Sequence, residues 1–211
     1  MFLAEVTLRS GQKHLAQVDS KLALVIAKTG KCPIQPHHNY YQELVESIIS
    51  QQLSTKAAAS IEKRFCALFE GSSFPTPKQI LSKNPEELRT AGLSRPKIGY
   101  IQDLAQKVLD GTVQFEHLDA LGNEAIIAEL TQIKGVGIWT VHMFLIFCMG
   151  RLDVLAWGDL GIRNGIKKLY NLKEPPDQPT IEQLAVQNHW HPYASIACWY
   201  IWRSLDNTPK I

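Results

Sequence analysis

The chain has 211 residues, of which 45% are hydrophobic and 20% charged, and a formal net charge of +2. This composition suits an ordinary folded globular protein able to bury one sizeable core or two small ones. So small a charge also excludes the broad basic surface of a chromatin protein, so any affinity for nucleic acid must come from a few local contacts.

In chain order, Leu15, Val18, Leu22, Val25 and Ile26 recur at three- and four-residue spacing and predict one amphipathic helix before the break at 30–39. A polar Gln51-Gln52 pair follows the apolar stretch that starts at Leu44. Ser54 is placed to cap a helix through Leu68 that Gly71 closes. Thr76-Pro77 and Asn84-Pro85 each set a capping residue before a proline at the first helical position. Two apolar-periodic segments, 124–133 and 138–149, flank Gly135-Val136-Gly137. Asp159 precedes a helix expected over 160–170, and Thr180 with Gln183 matches a capping box. No stretch alternates with period two, and the connections are short and rich in Pro and Gly. The predicted fold class is all-α, with about ten helices.

Cys32, Cys66, Cys148 and Cys198 are widely spaced and contain no Cys-x-x-Cys pair, which argues against zinc and against a disulfide framework and suits a reducing compartment. The longest apolar run, 143–149, falls far short of the ~18 residues a membrane span needs. Glu5 and Arg9 interrupt any signal-peptide core, so an intracellular location is expected.

The Gly-x-Gly turn carries the first chemical signal. Two glycines around one small apolar residue permit positive φ and close backbone approach, so bare N–H groups can face a phosphate at the N-terminus of the next helix. By itself such a turn is more often an ordinary helical hairpin. Asp159 could likewise be only a helix cap, and Gln51 and Gln52 only a polar helix end.

Four ordered stretches narrow these alternatives. They are Leu44-Val45-Glu46-Ser47-Ile48-Ile49-Ser50-Gln51-Gln52-Leu53-Ser54, then Gly92-Leu93-Ser94-Arg95-Pro96-Lys97, then the hairpin with Trp157-Gly158-Asp159-Leu160, and finally Trp190-His191-Pro192-Tyr193 running into Trp199-Tyr200-Ile201-Trp202. Together they resemble the helix-hairpin-helix (HhH-GPD) superfamily of DNA glycosylases, most closely the alkylpurine, or 3-methyladenine DNA glycosylase II, branch. The resemblance implies two helical lobes around a DNA-binding cleft: a central bundle at 40–152 containing the hairpin, and a second lobe made of 1–39 and 153–211 that carries the catalytic Asp. It implies a monomer acting on double-stranded DNA that contains damaged bases, in base excision repair.

The site residues follow from the same resemblance. Asp159 would be catalytic, stabilising the positive charge that builds on the sugar as the N-glycosidic bond breaks. Asp153 is the competing acid and reads as structural. Where strand-cutting relatives place a lysine nucleophile this chain has Trp139, which implies a monofunctional hydrolase. Trp139, Met143, Trp157 and Trp202 would form an electron-rich pocket for cationic alkylpurines, whereas Trp199 reads as packing. Gln52 and Leu53 would fill the gap left by the flipped nucleotide, with Ser54 on the opposite strand. Lys134, Gly135, Val136, Gly137 and Thr140 would meet the DNA backbone. The carbonyls of Thr131, Ile133 and Val136 would hold a Na+ or K+ ion. No other cofactor is implied, and the four-cysteine iron–sulfur loop of some relatives has no counterpart.

His142, Ala156 and Ala194 depart from the branch, where glutamate, proline and arginine are common, and His142 reads as a surface residue. These departures leave open a second reading, a non-catalytic protein that binds abasic sites or lesions.

Overall fold

In the computed structural model the described residues are 5–71 and 74–205. They form α-helices joined by short loops, with one 3₁₀ and one π segment and no strand among them. Among the described residues the chain divides into two compact units: one is 39–141, and the other pairs the chain up to His38 with 142–205. Residues 142–152, expected in the central bundle, therefore group with the discontinuous unit, and the second crossover falls inside the hairpin's second helix.

The continuous unit contains α3 (Tyr40–Ser50), α4 (Thr55–Cys66), α5 (Pro77–Ser82), α6 (Pro85–Thr90), α7 (Arg95–Leu109), a 3₁₀ turn (Phe115–Ala120) and α8 (Asn123–Leu130). α9 (Ile138–Met143) begins in it and crosses the boundary. Its local logic follows the sequence closely. Ser54 Oγ accepts the Ala57 N–H, and Thr76 and Asn84 each close a full capping box ahead of their prolines. α4 ends at Cys66, two residues short of expectation. α7 packs on α3, α5 and α6, burying Ile98, Ile101, Leu104 and Ala105 with Leu44, Ile48, Ile80 and Leu88.

The discontinuous unit contains α1 (Glu5–Val18), α2 (Ser20–Thr29), the π segment (Phe144–Cys148), α10 (Leu160–Leu169), α11 (Gln178–Gln187) and α12 (Ala194–Arg203). The single N-terminal helix expected from periodicity is in fact α1 and α2, broken at Asp19. That carboxylate is 2% exposed. It caps α2 by accepting from the Lys21 and Leu22 amides and also accepts from Tyr170 Oη and from Trp190 Nε1 at 2.8 Å. Satisfying a buried carboxylate outweighs the extra backbone bonds an unbroken helix would make. A second correction concerns α11, where the cap is Asp177 and Thr180 is the residue whose amide it receives.

The segment expected to run as one helix to Met149 leaves α geometry after Met143. The Met149 amide reaches back five residues to Phe144 O, and Phe144, Leu145, Ile146 and Cys148 are buried. α12 is apolar all round and Ala194–Trp202 are all buried, as such a helix requires. It packs on α1, α2 and α10.

Candidate nucleic-acid interface and active site

In the continuous unit, two segments named by the sequence pattern are tied to each other. One is the hairpin turn between α8 and α9. Gly135 adopts φ +78°, and a Cβ there would lie 2.2 Å from the Tyr100 ring, so both the backbone conformation and the close approach require glycine. The Val136 amide bonds Ile133 O at 3.1 Å, closing the turn, and Val136 is buried. No atom would crowd a Cβ at Gly137, which leaves that face of the backbone open. Thr140 is buried, while Ile138 and Trp139 are exposed, the latter at 48%.

The other segment is the loop after α3. The Leu53 amide donates to Ser50 O at 3.0 Å across a tight turn in which Gln51 has φ −48°, ψ 126° and Gln52 has φ +58°. This is the pattern of a type II turn, which prefers glycine or asparagine where Gln52 stands. A left-handed non-glycine residue costs on the order of 1–2 kcal/mol. The turn presents Leu53 at 39% exposure, directly before the Ser54 cap.

Three residues at three-residue spacing on α7 hold these segments. Lys97 Nζ donates to Ile49 O at 2.8 Å and to Gln51 O at 2.6 Å, Tyr100 lies under Gly135, and Asp103 Oδ2 accepts the Lys134 amide at 2.9 Å. Gln51 Nε2 closes the link by donating to Gly135 O at 2.9 Å. Burial holds the Lys97 ammonium below the usual lysine range. Asp103 is pushed up by burial, but the Lys134 amide and the hydrogen bond and charge of Lys107 outweigh that and hold it below the usual carboxylate range. The Lys134 ammonium lies 3.6 Å from Asp103 and is mostly exposed, so it is available to a phosphate. Lys97, Tyr100, Asp103 and Gln51 were not identified as site residues from sequence. The three-residue repeat of Lys97, Tyr100 and Asp103 on one helix was the available signal for those three, and Gln51 had none beyond its place beside Gln52.

In the discontinuous unit, Asp159 caps α10. Its Oδ1 accepts the Ile162 amide at 2.9 Å and Trp202 Nε1 at 2.7 Å. Trp202 is 3% exposed and its ring lies 5.6 Å from that of Phe147. A Cβ on Gly161 would lie 2.8 Å from Trp202 Cδ1 and 2.9 Å from Asp159 Oδ1, and one on Gly165 would lie 2.8 Å from Ile201 O. These two glycines let α10 and α12 approach closely enough for the indole to reach the carboxylate. Trp157, half-buried, meets His142 edge to face with centroids 5.8 Å apart, and Met143 is also half-buried. His142 is 5% exposed rather than on the surface, and burial lowers its pKa, favouring the neutral ring.

Asp153 Oδ1 pairs with His191 Nδ1 at 2.7 Å and accepts the Ala194 amide at 3.3 Å, so it fastens the start of α12. Ser195 reinforces that junction through Arg151 O and the Val154 amide. Ala156 and Ala194 are fully buried, and Trp199 is packed with Arg203 over its ring. Among the described residues no group of three or more cysteines is close enough to share a metal.

A glycine-turn hairpin on a helical unit, together with an aspartate capping the helix that follows it, defines a helix-hairpin-helix protein. The HhH-GPD superfamily base excision DNA repair model matches residues 45–189, and the chain belongs to this family. It is 33% identical over 199 residues to the alkylbase DNA glycosidase-like protein mag2 of Schizosaccharomyces pombe, covering 92% of each chain. The S. pombe 3-methyladenine DNA glycosylase Mag1, solved in complex with abasic DNA, is similar with a TM-score of 0.78 at 34% identity, over 92% of this chain and 95% of that one. The Bacillus halodurans DNA-3-methyladenine glycosidase gives a TM-score of 0.80 at 38% identity, over 92% and 88% respectively.

Proposed function

We propose that this protein is a monofunctional DNA glycosylase that hydrolyses the N-glycosidic bond of alkylated purines in double-stranded DNA, the first step of base excision repair. The observation that carries the reading is the Asp159 carboxylate, held by the Ile162 amide and the Trp202 indole at the start of α10. Fixed donors leave the anion oriented before the reaction begins, so stabilising a cationic sugar costs little reorganisation.

In the proposed step the C1′–N bond breaks with its electron pair leaving on the base. An alkylpurine that carried a formal positive charge departs neutral and needs no proton from the enzyme. Positive charge builds on the sugar and is stabilised by Asp159. Water adds to C1′, and its proton passes to the carboxylate and then to solvent, leaving an abasic site in an uncut strand. The lyase route requires an amine at the hairpin. Position 139 is a tryptophan, and Lys134 stands five residues earlier, in the turn itself.

The hairpin would take the backbone through Lys134 and the first-turn amides of α9, while Gln52 and Leu53 would occupy the space the flipped nucleotide leaves, with Ser54 on the opposite strand. In the discontinuous unit Trp157 offers a ring face, and Met143 a polarisable side chain, for a cationic base. The Thr131, Ile133 and Val136 carbonyls are hard oxygen donors of the kind a monovalent cation takes, and such an ion would add positive charge for a phosphate. Action on DNA implies an intracellular location. No helix among the described residues is long and apolar enough to cross a membrane.

The test is single-turnover release of free bases from methylated duplex DNA by wild type and Asp159→Asn. Release by the wild type, lost in the variant and without strand scission before alkali, supports the reading. No release at any enzyme excess, despite binding to abasic DNA, would instead indicate a non-catalytic lesion binder.

A further inference from the structure

The Gly92–Lys97 motif has no part in the chemistry above, yet its last residue contacts the loop expected to enter the duplex. We infer that Lys97 is a positioning residue: it locks the Ser50–Leu53 turn in its strained form, so that Gln52 and Leu53 are already set for insertion while the hairpin is on the backbone. The inference rests on the glycosylase reading for the meaning of insertion.

Three observations converge on it. The Lys97 ammonium donates to both Ile49 O and Gln51 O, carbonyls at the C-terminal end of α3, where a cation also meets the negative end of the helix dipole. Gln52, immediately after, is held at φ +58°, a conformation that a side chain disfavours and that persists where the surroundings enforce it. The loop is also linked to the hairpin, through Gln51 Nε2 on Gly135 O and through Tyr100, one turn beyond Lys97, under the same Gly135. A neutral side chain at 97 would leave two carbonyls without their donor and release the turn to relax toward a conformation that withdraws Leu53. A preset wedge has a kinetic use: opening a paired base costs a few kcal/mol, and a loop that must first order itself adds to that cost.

The experiment compares wild type, Lys97→Met and Lys97→Arg by two readouts. The first is binding to a duplex with a tetrahydrofuran abasic analogue beside a 2-aminopurine, whose fluorescence rises when the wedge unstacks it. The second is single-turnover base release from a methylated purine in a fully paired duplex and from the same purine opposite an abasic gap. In Lys97→Met we expect abasic-DNA affinity within about threefold of wild type and loss of the fluorescence rise. Release from paired DNA should fall about 10- to 100-fold, as misplacement of an aligned group by an ångström does, but less than about threefold opposite the gap. Lys97→Arg should restore the signal. Equal losses on both substrates, or an unchanged fluorescence rise, would overturn the inference. Should Lys97→Met fail to fold, Gln51→Ala breaks the link to Gly135 and is expected to show the same paired-against-gapped difference. If the wild type releases no base, the glycosylase reading fails, and the fluorescence comparison on abasic DNA still decides the role of Lys97.

Discussion

Replacing Trp202 with phenylalanine separates two roles for this residue. Phenylalanine keeps an aromatic face and most of the packing against Phe147, but it removes the N–H that reaches Asp159 Oδ1 at 2.7 Å. A hydrogen bond to a charged group is worth about 1.5–3 kcal/mol. For a chain of this size each kcal/mol moves the melting temperature by about 2–4 °C, so Trp202→Phe should melt roughly 3–12 °C lower. The larger effect is expected in the reaction. With only the Ile162 amide left of these two donors, the carboxylate can rotate, and a displacement near 1 Å costs about 100-fold in rate. The assay is single-turnover release of a cationic base, 7-methylguanine, and a neutral one, hypoxanthine, at a temperature where both proteins are folded. Loss of orientation slows both by the same factor. A selective loss for the cationic base, or a rate equal to wild type, would refute the positioning role and return Trp202 to the base pocket.

Two further outcomes follow from burial. Because burial lowers the His142 pKa, the unfolded chain binds a proton at higher pH than the folded one. This residue's contribution to stability is therefore complete above about pH 6.5 and is lost as pH falls from there toward the folded-state value. His142→Gln should flatten the stability profile between about pH 7 and 5 in urea unfolding, and an unchanged slope would show that the ring is not desolvated. Among the thiols, Cys32, Cys148 and Cys198 are buried and Cys66 is half-exposed. Burial pushes the Cys198 thiol up to about 12 and Cys32 to about 11, and burial with the Glu62 and Glu46 charges raises Cys66 as well. Exposure rather than acidity should therefore make Cys66 the one thiol that reacts first in a native-state Ellman titration, a phase that Cys66→Ser removes. Three or four fast thiols would mean that the buried ones open readily.

The features that were legible in the sequence are those set by near neighbours. Helix starts at Ser54, Thr76 and Asn84 depend on a side chain and an amide two or three residues on, and proline at the next position reinforces two of them. Gly135 and the Asp159 cap were visible for the same reason, since a turn and a helix N-terminus are written in adjacent residues.

The tertiary structure decided whatever depends on partners distant in the chain. Asp19 breaks a well-patterned helix because Tyr170 and Trp190, 151 and 171 positions away, bury and satisfy it. Trp202 reaches Asp159 across 43 positions only because Gly161 and Gly165 let two helices touch. The sequence alone thus determined an all-helical chain with a hairpin and a capping aspartate, since those depend on local sterics and hydrogen bonds. Only the fold decided which donors orient that aspartate and which lysine holds the turn after α3, because burial and long-range contact have no local pattern to announce them.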